Sequence, residues 1–286
     1  MEDGFKRSLE DCRVGIIGLG LMGGSLALAL RSHCASISGY DVDHSTLDQA
    51  IERGIIERPI DLHGDQVDLL ILAAPVNAIL DWLIEIPAVF SGCFHLIDLG
   101  STKAQIVAAM SSLPVRVSPL GGHPMCGKET SGLSMADQNL YRHCLFVLTP
   151  LERTHSMTLE IARHLLNVIE ARVLLLNPER HDFLAAAISH VPYLTSIALV
   201  EAALRADDEA AWMLAASGFR DSTRLAASDV TMLLDILMSN RAGVLENLAR
   251  VQTALQTLAD CIASGDRAAL RSMLDAARER RSTLFV

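Results

Sequence analysis

A chain of 286 residues, half of them apolar and a fifth charged, is long enough for two ordinary domains with substantial cores. Its net charge of −10 argues against broad binding to nucleic acid or anionic membrane, because both need a basic surface. Six cysteines (Cys12, Cys34, Cys93, Cys126, Cys144, Cys261) form no CxxC pair and ten histidines form no HxxxH or HExxH pair, so no metal site or redox dithiol is expected.

The opening MEDGFKRSLEDCR is charged and lacks the apolar region of a signal peptide. No stretch reaches the roughly 18 uninterrupted apolar residues of a membrane span. A reduced, cytoplasmic protein is the expectation.

Residues 13–17 (RVGII) form a short apolar, β-branched run followed by a glycine cluster and then SLALALR, which reads as strand, tight turn and helix. A second strand is predicted at Ser36–Tyr40 and a helix at Leu47–Arg53. LLILAAP at 69–75 and FHLIDLG at 94–100 have the continuous apolar character of strands covered on both faces. Further strands are predicted at Leu145–Leu148 and Arg172–Leu176. The alternation implies a doubly wound, mostly parallel sheet of the dinucleotide-binding (Rossmann) type. From Arg180 onward no strand is predicted. Apolar residues recur there at helical spacing, as at Leu245, Leu248, Val251, Leu255 and Leu258, and Gly218 and Gly265 read as helix breaks. The expected division is an α/β domain over 1–178 and an all-helical domain over 179–286.

Gly18-Leu19-Gly20-Leu21-Met22-Gly23 directly follows the first strand and opens the first helix. Gly18 permits the tight turn, Gly20 lets the backbone approach a pyrophosphate, and Gly23 lets the helix pack closely on the strand. Asp41 ends the second strand, placed to accept hydrogen bonds from the ribose hydroxyls and to repel the extra phosphate of NADP. NAD is therefore the expected cofactor.

Polar, glycine-rich segments interrupt the apolar pattern in both halves. Asp98-Leu-Gly-Ser101-Thr-Lys103 ends a strand, where open α/β sheets bind ligands. Gly121-Gly-His123-Pro-Met-Cys-Gly127-Lys128-Glu129 reads as a loop with a central histidine. Ile188-Ser-His190-Val-Pro192 places a histidine before a helix-perturbing proline, and Gly218-Phe-Arg220-Asp221-Ser-Thr-Arg224 presents two arginines one helical turn apart. Lys103 is read as steering an anion or bridging to an acid, and Arg220 as binding substrate or pairing with a neighbouring acid. Cys126, Met232 and Met238 are read as core residues.

GLGLMGGSLA, DLGSTK, GGHPMCGKETSG, HDFLAAAISHVPYL and SGFRDSTRLAASD occur in this order and at similar spacing in prephenate and arogenate dehydrogenases, and over nearly its whole length the chain resembles that family. The resemblance implies a dinucleotide-binding domain followed by a helical dimerisation domain. It also implies NAD-dependent oxidative decarboxylation of prephenate or arogenate on the way to tyrosine. His123 matches the family's catalytic histidine and Ser101 the serine that orients it. Arg224 matches the arginine that grips a substrate carboxylate, from its own or the partner subunit. His190 matches a second active-site histidine, and Glu129 and Asp221 match acids that line or gate the pocket. Two positions depart from the pattern. Lys128 stands where a small hydroxyl residue is common, its cation directed to a substrate carboxylate or to solvent. Leu233 stands where tryptophan is frequent.

Two other readings compete. β-Hydroxyacid-type dehydrogenases share the domain pairing but usually rely on a lysine in the helical domain, and all three lysines here (Lys6, Lys103, Lys128) precede it. A noncatalytic NAD-sensing module would have no use for His123, Ser101 and Arg224 together. The chain is expected to carry no appended regulatory or mutase domain, so any inhibition by tyrosine would be competitive. The helical domain is expected to form a homodimer, because its apolar content exceeds what so few helices bury alone.

Overall fold

The computed structural model describes residues 4–62, 64–128 and 130–284. Eight strands form one sheet: β1 (Arg13–Ile17), β2 (Ser36–Tyr40), β3 (Arg58–Pro59), β4 (Leu69–Leu72), β5 (Phe94–Asp98), β6 (Val117–Pro124), β7 (Leu145–Pro150) and β8 (Arg172–Leu175). Their order is β3-β2-β1-β4-β5-β6-β7-β8. Every neighbouring pair is parallel except β6–β7. The doubly wound sheet expected from the alternating pattern is what forms. Its strand order reverses between β1 and β4, which places the ligand-binding crevice at their carboxyl ends.

The central strands β4 and β5 are buried on both faces, which is why LLIL is an unbroken apolar run and FHLID nearly one, whereas β3 and β8 at the two edges are exposed. One face packs against α1 (Leu21–Leu30), α2 (His44–Glu52) and α5 (Ser156–Val168) in a core that includes Leu26, Ile71, Phe146 and Leu165. The other packs against α3 (Val76–Val89) and α4 (Ala104–Ser111) around Leu70, Ile79, Leu96 and Met110.

The segment carrying His123 is a strand, which corrects the expectation of a loop. Its sequence, VSPLGGHP, suggests a turn because two prolines and two glycines dominate it. Glycine in a strand also marks close backbone approach. A side chain at Gly122 would meet the Asp98 carbonyl oxygen of neighbouring β5 at 2.6 Å. The glycines therefore let β6 lie between β5 and β7 and carry His123 to the sheet's end.

Among the described residues no strand follows Leu175. The helical half comprises α6 (Pro178–Ala185), a π-helical turn (Ala186–His190), α7 (Val191–Leu204), α8 (Glu209–Leu214), α9 (Ser217–Thr223), α10 (Val230–Ser239), α11 (Arg241–Ser264) and α12 (Arg267–Leu284). Gly265 ends α11 with φ +70°, as its sequence suggests, whereas Gly218 lies inside the first turn of α9. The run Pro178–Leu204 is the one helix among the described residues long and apolar enough, by length and composition, to cross a membrane. It also carries the buried polar side chains of His181, Asp182 and His190.

The core of this half is small, built on Tyr193, Leu233 and Ile236. Leu233 is thus a packing residue here. Met232 and Met238, expected in the core, are 45% and 59% exposed. Leu245 and Leu255 of the α11 stripe are exposed as well, together with Trp212, Met213, Leu214, Leu234 and Ile262. A single chain leaves this apolar surface uncovered, so the periodicity that marks α11 as a helix does not mark an intrachain core.

Candidate active site

Gly18 adopts φ +91°, and its Cα lies so close to Ala73 that a side chain would strike the Ala73 carbonyl oxygen. The turn is braced from β2: the Gly18 N–H donates to the Tyr40 carbonyl at 2.8 Å, and the Leu19 N–H donates to Asp41 Oδ2 at 2.8 Å. Gly20, the N-cap of α1, offers no side-chain cap, and open space lies above it. Unsatisfied N–H groups at a helix N-terminus, with room above them, suit a pyrophosphate. Asp41 Oδ1 also accepts the Asp43 N–H at 3.0 Å, which holds the carboxylate at the edge of this crevice. The residues present therefore fit a dinucleotide. Asp41→Asn is expected to lower the preference for NAD over NADP about tenfold, equivalent to roughly 1.4 kcal/mol, as measured by the ratio of kcat/KM values for the two cofactors.

A buried polar cluster lies beyond the ends of β5 and β6. The Asp98 carboxylate accepts the backbone N–H groups of Gly100 at 2.8 Å and Gly122 at 3.1 Å, and pairs with the Lys103 ammonium. Both side chains are fully buried. Lys103 Nζ also donates to the Gly122 carbonyl at 2.7 Å. Of the two roles open to Lys103 from sequence, bridging to an acid is the one the structure displays.

From the helical half, Asp182 reaches the start of α4. Its Oδ1 accepts the Lys103 N–H at 2.6 Å and its Oδ2 the Ala104 N–H at 2.9 Å. These two N–H groups are ones a helix cannot satisfy internally. Asp182 Oδ1 also bonds His181 Nδ1 at 2.8 Å, and His181 Nε2 bonds His123 Nδ1 at 2.8 Å. Asn240, at the end of α10, donates through Nδ2 to the Asp182 carbonyl at 2.6 Å and lies 3.3 Å from His190 Nδ1. Thr102 and Ser239 add a buried hydroxyl pair at 2.9 Å. The two halves of the chain therefore meet through polar contacts centred on His123.

His190 owes its place to the π-helical turn. In an uninterrupted α-helix, residues eight apart, such as Asp182 and His190, lie about 2.2 turns away from each other, roughly 80° apart around the axis. The Pro192 ring clashes with the carbonyl four residues back and provides no N–H for it, and the turn widens, with the Val191 N–H bonding the Ala186 carbonyl. That extra width brings His190 round towards the Asp182 side.

Charge is tightly constrained here. Burial, helped by the nearby Lys103 ammonium and by the cost of placing a second cation beside the neighbouring imidazoles, holds His123 well below the ordinary histidine pKa. Burial lowers His190 to about 4 against the opposing pull of Asp182. Burial also lowers Lys103, opposed by Asp98. Both His123 and His190 are thus neutral imidazoles near pH 7.

The other sequence-derived candidates lie around this cluster. Ser101 is partly buried on the β5–α4 turn, and among the described residues its hydroxyl makes no hydrogen bond, while His123 Nδ1 bonds His181. Lys128 donates to Asp137 Oδ2 and the Met135 carbonyl, both at 3.2 Å, partners near its own loop. Asp221 pairs at 3.6 Å with Arg220 on the exposed face of α9. Arg224 opens the exposed turn Arg224–Ala227. Glu129 lies outside the described residues. Cys126 is partly buried against the main core.

The family model for the nucleotide-binding domain of prephenate dehydrogenase matches residues 26–175, and that for its dimerization domain matches residues 177–276. The chain belongs to the prephenate dehydrogenase family. The prephenate dehydrogenase of Bacillus subtilis is 34% identical over 242 residues, covering 81% of this chain; the chain spans 65% of that relative's length. Among solved structures, the Aquifex aeolicus prephenate dehydrogenase in complex with hydroxyphenyl propionate and NAD+ superposes with a TM-score of 0.90 at 27% identity. That match covers 95% of this chain and 98% of the other. The arogenate dehydrogenase of Synechocystis gives 0.83 at 28% identity, covering 95% and 99%.

His181, Asp182 and Asn240 were not singled out in the sequence. The first two form an adjacent His-Asp pair in the first turns of a helix whose remainder is largely apolar, and that pair is the local signal for them. Asn240 carries none, because its role arises only when α10 returns beside α6.

Proposed function

We propose that this chain catalyses the NAD-dependent oxidative decarboxylation of prephenate or arogenate, with His123 as the proton acceptor. The observation that carries this reading is a neutral imidazole, anchored through His181 and Asp182, at the end of the sheet that bears the dinucleotide turn. The division falls near residue 178, with the nucleotide-binding half before it and the helical half after it. The latter forms a homodimer over the exposed faces of α8, α10 and α11.

Bound NAD supplies the hydride acceptor. His123 Nε2 takes the proton of the ring hydroxyl as the C–H bond at the same carbon yields its hydride, so that a C=O bond forms there. Loss of the ring carboxylate as carbon dioxide leaves its bonding pair in the ring, which aromatises. The proton held on His123 then returns to the phenolate oxygen. A neutral imidazole suits this exchange, since it must accept and give back one proton near neutral pH. Ser101 contributes a hydroxyl beside the same position. His190 lines the pocket from the helical half as a neutral group. Arg224 holds a substrate carboxylate through its planar fork, and Asp221 and Glu129 border the entrance.

Arg224→Gln is expected to raise KM for the carboxylated substrate about ten- to a hundredfold, in line with roughly 1.5–3 kcal/mol for a charge-assisted hydrogen bond. Steady-state kinetics at saturating NAD measures it. The reaction itself is tested with substrate labelled in the ring carboxylate. One labelled carbon dioxide released per NADH formed supports the reading, and NADH formed without carbon dioxide contradicts it.

A further inference from the structure

The hydrogen-bond chain from Asp182 to His123 has a consequence for where the proton on His123 resides. A carboxylate only accepts, so His181 Nδ1, 2.8 Å from Asp182 Oδ1, carries a hydrogen and donates it. A neutral His181 then has a bare Nε2. That nitrogen lies 2.8 Å from His123 Nδ1, so His123 Nδ1 must be the donor. An imidazolium at His181 would reverse this last bond, at the cost of burying a second cation in a site that already encloses the Lys103 ammonium.

We propose that Asp182, acting through His181, fixes His123 in the tautomer with hydrogen on Nδ1 and a bare Nε2, making His181 and Asp182 positioning residues for the reaction. This rests on the reading of His123 as the proton acceptor. The opposite tautomer would present an N–H to the substrate hydroxyl and could not take its proton. As Nε2 receives that proton, the bond from His123 Nδ1 to His181 becomes charge-assisted, and the Asp182 carboxylate two bonds away stabilises the cation. Asp182 is itself held by the Lys103 and Ala104 N–H groups, so the same carboxylate that joins the two halves also sets the protonation geometry of the base.

His181 is the residue to change, because altering Asp182 would also unseat the start of α4. Nitrogen NMR of protein labelled in its histidine rings reads the tautomer directly, with the His123 signals assigned by their loss in His123→Asn. The expected result is a protonated Nδ1 and a bare Nε2 at His123. His181→Leu is expected to scramble the two and lower kcat roughly tenfold or more with little change in KM. His181→Gln, whose amide oxygen can accept from His123 Nδ1, is expected to recover part of both. Hydrogen on Nε2 of His123 in the unaltered protein overturns the proposal, and so does an unchanged kcat in a folded His181→Leu. If no cyclohexadienyl substrate turns over, the functional reading fails, while the ring spectra still decide the tautomer.

Discussion

His123→Asn is expected to lower kcat by roughly 10²- to 10⁴-fold while leaving NAD affinity nearly unchanged. The side chain that accepts the hydroxyl proton is removed, but the glycine turn and Asp41 stand on other strands. Steady-state turnover beside NAD titration by fluorescence separates the two effects. The pH dependence follows from the same group. Because His123 is held well below the ordinary histidine pKa, the unaltered enzyme keeps its base neutral as pH falls through about 6.5. The acid limb of kcat/KM is therefore expected below that value. Stability runs in the corresponding sense. His123 and His190 are neutral in the folded chain, whereas the unfolded chain takes up their protons below about pH 6.5. Their contribution is thus intact above that pH and declines as pH falls beneath it.

Lys103→Met is expected to destabilise the protein by about 3–5 kcal/mol, the usual consequence of stripping the partner from a fully buried charge. Asp98 would retain its Gly100 and Gly122 N–H donors but lose the cation that neutralises it. A fall in Tm of roughly 10 °C is the corresponding thermal signature. Asp98→Asn combined with Lys103→Met is expected to recover much of that loss, because no charge is then left alone. The single variant carries a second signature. Lys103 is a positive group that helps to lower His123, so its removal is expected to move the acid limb of kcat/KM upward. A stability loss with an unmoved limb would separate the structural role of Lys103 from any influence on the base.

Which parts of this were legible in the sequence follows from how local each feature is. The glycine turn and its flanking strand and helix are set by short-range chemistry, and each takes the expected form. β4 and β5 declare themselves as continuous apolar runs because both sheet faces are covered. β6 was hidden, since its prolines and glycines look like turn residues until β5 is seen to press against Gly122. β3, only two residues long, offers no periodicity to read. The exposed Met232, Met238 and Leu245 illustrate another limit. Helical spacing shows that one face is apolar but not whether its cover comes from the same chain.

Legibility of the site follows the same division. His123 and His190 stand out within their motifs. The contacts that organise them run between residues 50 to 79 positions apart, as in His190–Asn240, His123–His181 and Asp182–Lys103, and no local pattern encodes those pairings. Lys103 lies between the two cases: its type and position suggest a bridge to an acid or an anion contact, Asp98 lies only five residues away, and the Gly122 carbonyl that shares its ammonium comes from β6.

The most direct test of the central claim is steady-state NADH formation with prephenate and arogenate in parallel, each supplied with NAD and with NADP. Turnover of either substrate with NAD well above NADP is the expected result, and the faster substrate identifies the side chain recognised. Tight NAD binding with no turnover of either substrate would contradict the account.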